Sequence, residues 1–391
     1  MIAGFEFATS ARILFGAGKR HDLPAVLREF GAQRVLCVTG GSAERAQPIL
    51  DLITSAGAQV ERFAVTGEPD LARITAGRDA VRRFAPDAIV AVGGGSVIDT
   101  GKALAALEAN DGDVLDYLEV IGAGRALPNA VRIPVIALPT TAGTGSEVTR
   151  NAVIASPEHR LKVSLRHRSM LPAVALVDPE LTYDLPRAQT AYTGMDALVQ
   201  LIEPYLSNAA TPITDALCLH GLTLGVPALP RCIESPHDAD ARAAMACASL
   251  FGGMALANAK LGAVHGFAGV IGGMFDAPHG ALCARLLPPV LEANIDAITT
   301  RASGSEAARR VEVLRALIDQ TRPPQGTSGD ALIDWAWGMV EMLAIPPLSA
   351  YGVRAEHLDD IARKSAGANS MKGNPIPLTH DELVGVLERA L

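Results

Sequence analysis

The hydrophobic periodicity of the chain changes once, near residue 185, and that change restricts the fold more than any single motif. From Ile2 to about Asp184, short β-branched runs alternate with helical stretches, as in a parallel sheet covered by helices. Arg34 to Thr39, Ala88 to Val92, Ile133 to Leu138 and Val174 to Val177 read as strands, and Gln59 to Ala64 as a further extended run. Ala43 to Ser55 and Leu71 to Phe84 read as helices, the first tolerating Pro48 only near its first turn. Beyond Pro186 the β-branched runs vanish. Ala/Leu-rich segments of helical spacing take over, broken at loops such as Gly225 to Pro230. The expected architecture is an α/β domain over residues 1–185, a parallel sheet with helices on both faces, followed by an all-α domain over 186–391.

A chain of 391 residues exceeds one compact core, so a cleft between two domains is the default place to look for chemistry. With 37 glycines and only 4% aromatic residues, its packing must rely on small side chains, and a pocket would be lined by aliphatic ones. A net charge of −8 and the lack of a basic stripe argue against nucleic acid as a partner. The five cysteines are odd in number and form no C-x-x-C pair, which favours a reducing, cytoplasmic setting over a disulfide framework. Met1 to Arg20 carries Glu6 and no long apolar run, unlike a secretory signal. The longest uncharged run, Ala243 to Ala259, falls short of the roughly 20 residues of a membrane span and reads as buried core helix, so no membrane is expected.

Chemistry enters at the strand Ala88 to Val92, which runs into Gly93-Gly94-Gly95-Ser96 and then a helical stretch from Val97 to Leu107. Glycines allow a phosphate close to the backbone, and a helix N-terminus offers unpaired N–H groups and partial positive charge. The spacing matches neither a Walker A loop nor G-x-G-x-x-G, and a glycine triplet alone is as often a plain tight turn. Pro139 to Thr149 follows a second strand and combines small residues with five hydroxyls; it can line a ribose or phosphate, or simply cap a helix. The two loops together point to a nucleotide.

In the helical half, Asp196 and Gln200 stand four residues apart and share one helix face. His265 and His279 each lie among glycines, and one Asp with two His residues forms a reasonable divalent-metal set. An isolated buried histidine is more often a satisfied core residue, so the order of all these segments carries the argument. Glu203 reads as a structural hydrogen-bond acceptor, and Cys247 and Cys283 as small core residues.

Over essentially its whole length the sequence resembles the iron-containing (group III) alcohol dehydrogenase family, part of the dehydroquinate synthase-like superfold. The resemblance rests on Ile13 to Gly18, Gly93 to Asp99 with Lys102, Pro139 to Thr149, Asp178 to Thr182, Gly194 to Leu198 with Ile202, Glu203 and Tyr205, His265, Pro278 to Gly280, and Gly373 to Pro375. It implies that the first domain binds NAD or NADP. Gly94, Gly95 and Ser96 would hold the pyrophosphate, with Asp99, Thr140, Thr141 and Thr144 lining the nucleotide. Asn151 and Lys162 would flank it, Thr182 and Leu185 would close over it, and Gly40, Gly41 and Ser42 would meet the adenosine ribose. The family's four metal ligands map to Asp196, Gln200, His265 and His279, of which Asp196, His265 and His279 would also be catalytic.

Three departures stand out. Gln200 replaces a histidine ligand, which weakens binding of Fe²⁺ or Zn²⁺. Gly269 replaces a further histidine near the substrate. The run Val38 to Ser42 lacks the coenzyme-selecting acidic residue, which relaxes discrimination against NADP, with Ser42 and Arg45 near a 2′-phosphate. The resemblance thus implies a metal-assisted, NAD(P)-dependent enzyme that interconverts an alcohol and an aldehyde or ketone, working as a homo-oligomer. Metal-independent carbonyl reduction like that of the maleylacetate reductases, and a catalytically silent NAD(P)H-binding protein, are the competing readings.

Overall fold

The computed structural model describes residues 4–118, 121–159, 161–321 and 329–391. They form two compact units. One comprises Thr9–Thr141 and Gly145–Asp184; the other comprises Leu185–Leu391, Ala142–Thr144 and the segment that ends at Ala8.

The first unit is built on a parallel six-stranded sheet of β1 (Arg12–Phe15), β2 (Arg34–Gly40), β3 (Gln59–Val65), β4 (Ala88–Gly93), β5 (Val135–Pro139) and β8 (Val174–Val177). The spatial order is β1-β8-β5-β4-β2-β3. An antiparallel pair, β6 (Asn151–Ser156) and β7 (Leu161–Arg166), stands apart from it. The connecting helices are α1 (Leu23–Glu29), α2 (Ala43–Ser55), α3 (Leu71–Phe84), α4 (Gly95–Glu108) and the single turn α5 (Val114–Tyr117). Alternate residues of β2 enter opposite cores, as strand geometry requires. Val35 and Cys37 pack with Leu23, Ile49 and Ile53 of α1 and α2, whereas Leu36 and Val38 pack with Val81, Ile98 and Leu104 of α3 and α4. Helices therefore cover both faces, and every strand but the edges is apolar on both sides. Gly101 lets α4 lie close on β4, since a Cβ there would stand 2.9 Å from that of Ala91.

The second unit is helical throughout its longer elements: α6 (Arg187–Leu206), α7 (Pro212–Glu234), α8 (Ala239–Asn258), α9 (Ala263–Met274), α10 (His279–Arg301), α11 (Glu306–Thr321), α12 (Ala331–Met342), α13 (Leu358–Ala366) and α14 (His380–Ala390). Helix α6 is its axis, buried from Gly194 to Leu206.

Two sequence expectations need correction. Gly225 to Pro230 is no loop: α7 runs through it with Pro227 and Pro230 inside. Packing overrides the breakers, because Gly225 sits against Leu198 and Ala248 and the following residues Val226, Ala228 and Leu229 are buried. Pro48 lies in the second turn of α2, not the first, at the loss of one bond to the Glu44 carbonyl. Helix α8, which holds the long uncharged run, contributes Met245, Ala248 and Ala255 to the core. Among the described residues, α7 has the length and hydropathy of a membrane span. Its Cys218, Leu222 and Leu229 nonetheless belong to the same core, and Asp215 near its start pairs with Arg310 at 2.6 Å.

Candidate active site

The glycine turn and the threonine-rich loop meet at the carboxyl ends of adjacent strands. Gly93 pairs with Pro139 in the β4–β5 register, and the Thr140 N–H donates to the Gly93 carbonyl at 3.0 Å. An added Cβ at Gly94 would touch the Thr141 side chain at 3.4 Å. Gly94 is the N-cap of α4 and supplies no side-chain cap, so the first N–H groups of that helix are available to an anion. On the other side of β4 lies β2; the chain runs outward from β2 to β3, then crosses back over β2 to β4 and continues the opposite way to β5. That reversal of strand order creates a crevice at the carboxyl ends, the usual place for a nucleotide on such a sheet. Gly40, Gly41 and Ser42 end β2 at this crevice, with the Ser42 hydroxyl capping α2 through the Arg45 N–H at 3.2 Å.

Arg62, which sequence reasoning did not single out, bends from β3 over the end of β2. Its guanidinium donates to Thr39 Oγ1 at 2.8 Å, to the Gly40 carbonyl at 2.8 Å and to the Gly41 carbonyl at 3.0 Å. A half-buried arginine on a strand carries no motif; only the register of β2 with β3, which sets Arg62 beside Cys37, brings it to this point.

Asp99 is occupied within the fold. One carboxylate oxygen accepts from the Ser146 hydroxyl and lies 2.9 Å from Lys102 Nζ, and the other accepts from the Val153 N–H at 2.8 Å. Lys102 is fully buried and also donates to the Ser146 carbonyl and Thr149 Oγ1, each at 3.0 Å. Burial lowers its pKa, while Asp99 and Glu147 oppose that. Burial pushes the Glu147 carboxyl up to about 7 against the pull of Lys102. This network ties α4, the loop after β5 and β6 together behind the glycine turn. Asn151 opens β6, Lys162 of β7 is engaged by Glu68 at 2.6 Å, and the Thr182 hydroxyl donates to the Pro179 carbonyl at 2.7 Å. Thr144 and Leu185 belong to the helical unit, where Leu185 lines a small cavity with Ala142, Thr190, Thr193, Gly194 and Arg242. The Asp178 segment braces the sheet edge, since its carboxylate accepts from the Gly18 and Arg20 N–H groups, each at 3.1 Å, beside the paired strands β1 and β8.

The metal-like set gathers in the helical unit. Asp196 and Gln200 occupy successive turns of α6, His265 the first turn of α9 and His279 the first position of α10. His265 Nε2 lies 3.3 Å and His279 Nε2 3.8 Å from Asp196 Oδ1. One more turn along α6, Glu203 accepts from the Val264 N–H at 2.7 Å and meets His265 Nδ1 at 2.6 Å. Glu203 is thus the acceptor expected of it. It caps α9, and by engaging Nδ1 it turns Nε2 toward Asp196, as a carboxylate behind a metal-binding histidine does. Asn374 completes the cap by accepting from the Ala263 N–H at 3.1 Å, which accounts for the Gly373 to Pro375 motif. Only glycine fits at 262, where a Cβ would stand 2.8 Å from the Glu203 carboxylate.

Cys283 joins this set, a residue expected to be only core filling. It lies one turn beyond His279 on α10, its Sγ 3.5 Å from His279 Nε2 and 3.9 Å from His265 Nε2. The donor atoms of Asp196, His265, His279 and Cys283 all fall within 4.8 Å of one another. The four-residue spacing from His279 was the available signal, the same spacing that singled out Gln200. At Gly269, two turns from Gly262 on α9, an added Cβ would meet nothing within 4 Å.

The donors fit a divalent ion. Asp196 Oδ1 and Gln200 Oε1 are buried without a hydrogen-bond partner among the described residues, a costly state unless a ligand completes it. Burial alone would raise the Asp196 pKa, but His265, His279 and Gln200 overcome it and hold the carboxyl at about 2. Burial likewise opposes charge on both imidazoles, and Cys283 and Asp196, with Glu203 for His265, outweigh it and raise both pKa values. The Asp196 carboxylate therefore stays ionised, with an oxygen open to a cation among the described residues.

Comparison with known proteins completes the assignment. The family description "Iron-containing alcohol dehydrogenase" matches residues 10–179, and that of the family's C-terminal part matches residues 190–391. Alcohol dehydrogenase 4 of Saccharomyces cerevisiae (strain YJM789) is 32% identical over 96% of each chain. The crystal structure of a 1,3-propanediol oxidoreductase superposes with a TM-score of 0.90 at 29% identity, covering 100% of both chains. Sulfoacetaldehyde reductase from Bifidobacterium kashiwanohense, solved in complex with NAD+, superposes with a TM-score of 0.85 at 28% identity over 99% of both. With both halves matched, a glycine turn at the switch point of its sheet and an Asp-His-His cluster among its helices, the chain belongs to the iron-containing alcohol dehydrogenases, a family of nicotinamide-dependent oxidoreductases.

Proposed function

We propose that the chain interconverts a small, largely aliphatic alcohol and its aldehyde or ketone, with NAD or NADP as hydride carrier and a divalent ion held by Asp196, His265 and His279. One observation carries this reading: a buried carboxylate oxygen without a hydrogen-bond partner among the described residues faces two imidazoles. When bound there, a divalent ion polarises a carbonyl oxygen or stabilises an alkoxide. Asp196 supplies the anionic ligand, His265 and His279 present Nε2, and Glu203 fixes the ring of His265. In the sheet unit, the N–H groups of Gly95 and Ser96 would bind the pyrophosphate, while Thr140 and Thr141 offer hydroxyls beside it. Asp99 and Lys102 act behind this surface by holding the two loops in register.

The coenzyme pocket accepts NADP as well as NAD in this reading. Gly40 and Gly41 present no carboxylate to repel a 2′-phosphate, and Arg62 and Arg45 provide positive charge nearby. The protein works in the cytoplasm as a homo-oligomer, with none of its five cysteines in a disulfide. Chelation followed by metal readdition tests the main claim: turnover of short alcohols should fall on chelation and return with the ion. Full turnover in verified metal-free protein would instead establish the maleylacetate reductase-like alternative.

A further inference from the structure

The metal cluster differs from a set of one carboxylate and three imidazoles at two places, and the two differences compensate. Gln200 offers only a neutral carboxamide on α6; Cys283 offers a thiol on α10, one turn from His279. We propose that Cys283, and not Gln200, is the fourth ligand, giving an Asp-His-His-Cys site that selects zinc over iron. This rests on the assignment of Asp196, His265 and His279 as metal ligands.

Distances favour it. Tetrahedral coordination with metal–nitrogen bonds of about 2.0 Å and a metal–sulfur bond of about 2.3 Å sets donor separations of roughly 3.3–3.6 Å. The observed separations from Asp196 Oδ1 are 3.3 Å to His265 and 3.8 Å to His279. Those from Cys283 Sγ are 3.5 Å to His279 and 3.9 Å to His265. These four separations lie within about 0.5 Å of the tetrahedral values, and all the donor atoms fall within 4.8 Å of one another.

Donor chemistry favours it too. A carboxamide oxygen is a weak donor to a divalent transition metal, whereas a thiolate is a strong one. The thiol proton leaves to solvent as the metal–sulfur bond forms, and no electron is transferred. Gln200 then stands beside the Asp196 carboxylate, one turn along α6, without coordinating the ion. A thiolate beside imidazoles matches the donor preference of zinc.

Cobalt(II) is the probe, added to the full-length chain stripped of metal. Bound cobalt should show intense thiolate-to-cobalt charge-transfer absorption in the near ultraviolet together with a tetrahedral visible spectrum. Cys283→Ala should abolish the charge-transfer band and weaken cobalt binding by more than the roughly 10- to 100-fold that loss of a supporting residue costs. Gln200→Ala should keep the band. The double variant Gln200→His with Cys283→Ala should regain cobalt affinity without the band, which separates loss of a ligand from loss of folding. In competition, the unaltered protein should retain zinc over iron(II). Cobalt bound stoichiometrically without the band, or a band that survives Cys283→Ala, overturns the role of Cys283 and leaves the other three ligands standing. If no cobalt binds, both this proposal and the metal reading fail.

Discussion

Both units bury charged side chains, yet they treat them differently. In the sheet unit, Asp99 and Lys102 satisfy one another with Ser146, Thr149 and the Val153 N–H, so the network is complete without a ligand. In the helical unit, Asp196 and Gln200 keep oxygen atoms with no hydrogen-bond partner among the described residues. Burial of polar groups thus marks architecture in one place and an awaited ion in the other, and the distinguishing feature is whether the acceptors are already filled.

Asp196→Ala gives the sharpest test of that contrast. It should lower kcat/KM by about a thousandfold, or roughly 4 kcal/mol of transition-state stabilisation, by removing the anionic ligand proposed for the ion. Coenzyme affinity, followed by fluorescence titration, should stay within about threefold; a matching loss there would dissolve the difference between the units. Lys102→Met should do the reverse, costing about 3 kcal/mol in urea denaturation because it strands Asp99, while bound metal measured by elemental analysis is retained.

The third prediction concerns pH. Glu147 has a folded pKa of about 7, above its ordinary 4.5, so the folded state binds its proton more tightly than the unfolded state. Its stabilising contribution is present below about pH 4.5 and is lost as pH rises through about 7, a change of a few kcal/mol at most. Glu147→Gln should flatten that part of the profile of urea midpoint against pH. An unchanged slope would show that the sheet network tolerates the ionised group. The smallest effect is expected from Gly40→Asp, where a Cβ meets nothing within 4 Å. It should shift the kcat/KM ratio toward NAD by roughly tenfold, about 1.4 kcal/mol, and leave the cobalt spectrum unaltered.

The sheet unit was the more legible of the two in elements, the helical unit the less legible in details. Helices Ala43 to Ser55 and Leu71 to Phe84 coincide with α2 and α3, and the Gln59 to Ala64 run is one residue short of β3. These segments are buried on a defined face, so pattern and packing agree. The pair β6–β7 escaped notice because Asn151 to Ser156 mixes buried and exposed residues over a short length and Leu161 to Arg166 carries two cations. Proline misled the reading of α7, since Pro227 and Pro230 are held by tertiary packing that no local signal reveals. At the site, spacing on one helix was readable, as with Asp196 and Gln200. Arg62 was not recognised, because its importance comes from neighbours far away in sequence that only the fold assembles; Cys283, four residues from His279 on one helix, carried a readable spacing but was taken for core filling.

Glu203 serves two masters: the same carboxylate starts α9 and aims the ring of His265. The orientation of that imidazole is therefore inherited from the start of a helix. Any attempt to reshape this enzyme's substrate range has to leave Glu203, Gly262 and Asn374 as a fixed unit, and seek variation at positions such as Gly269 in the middle of α9, where a side chain has room.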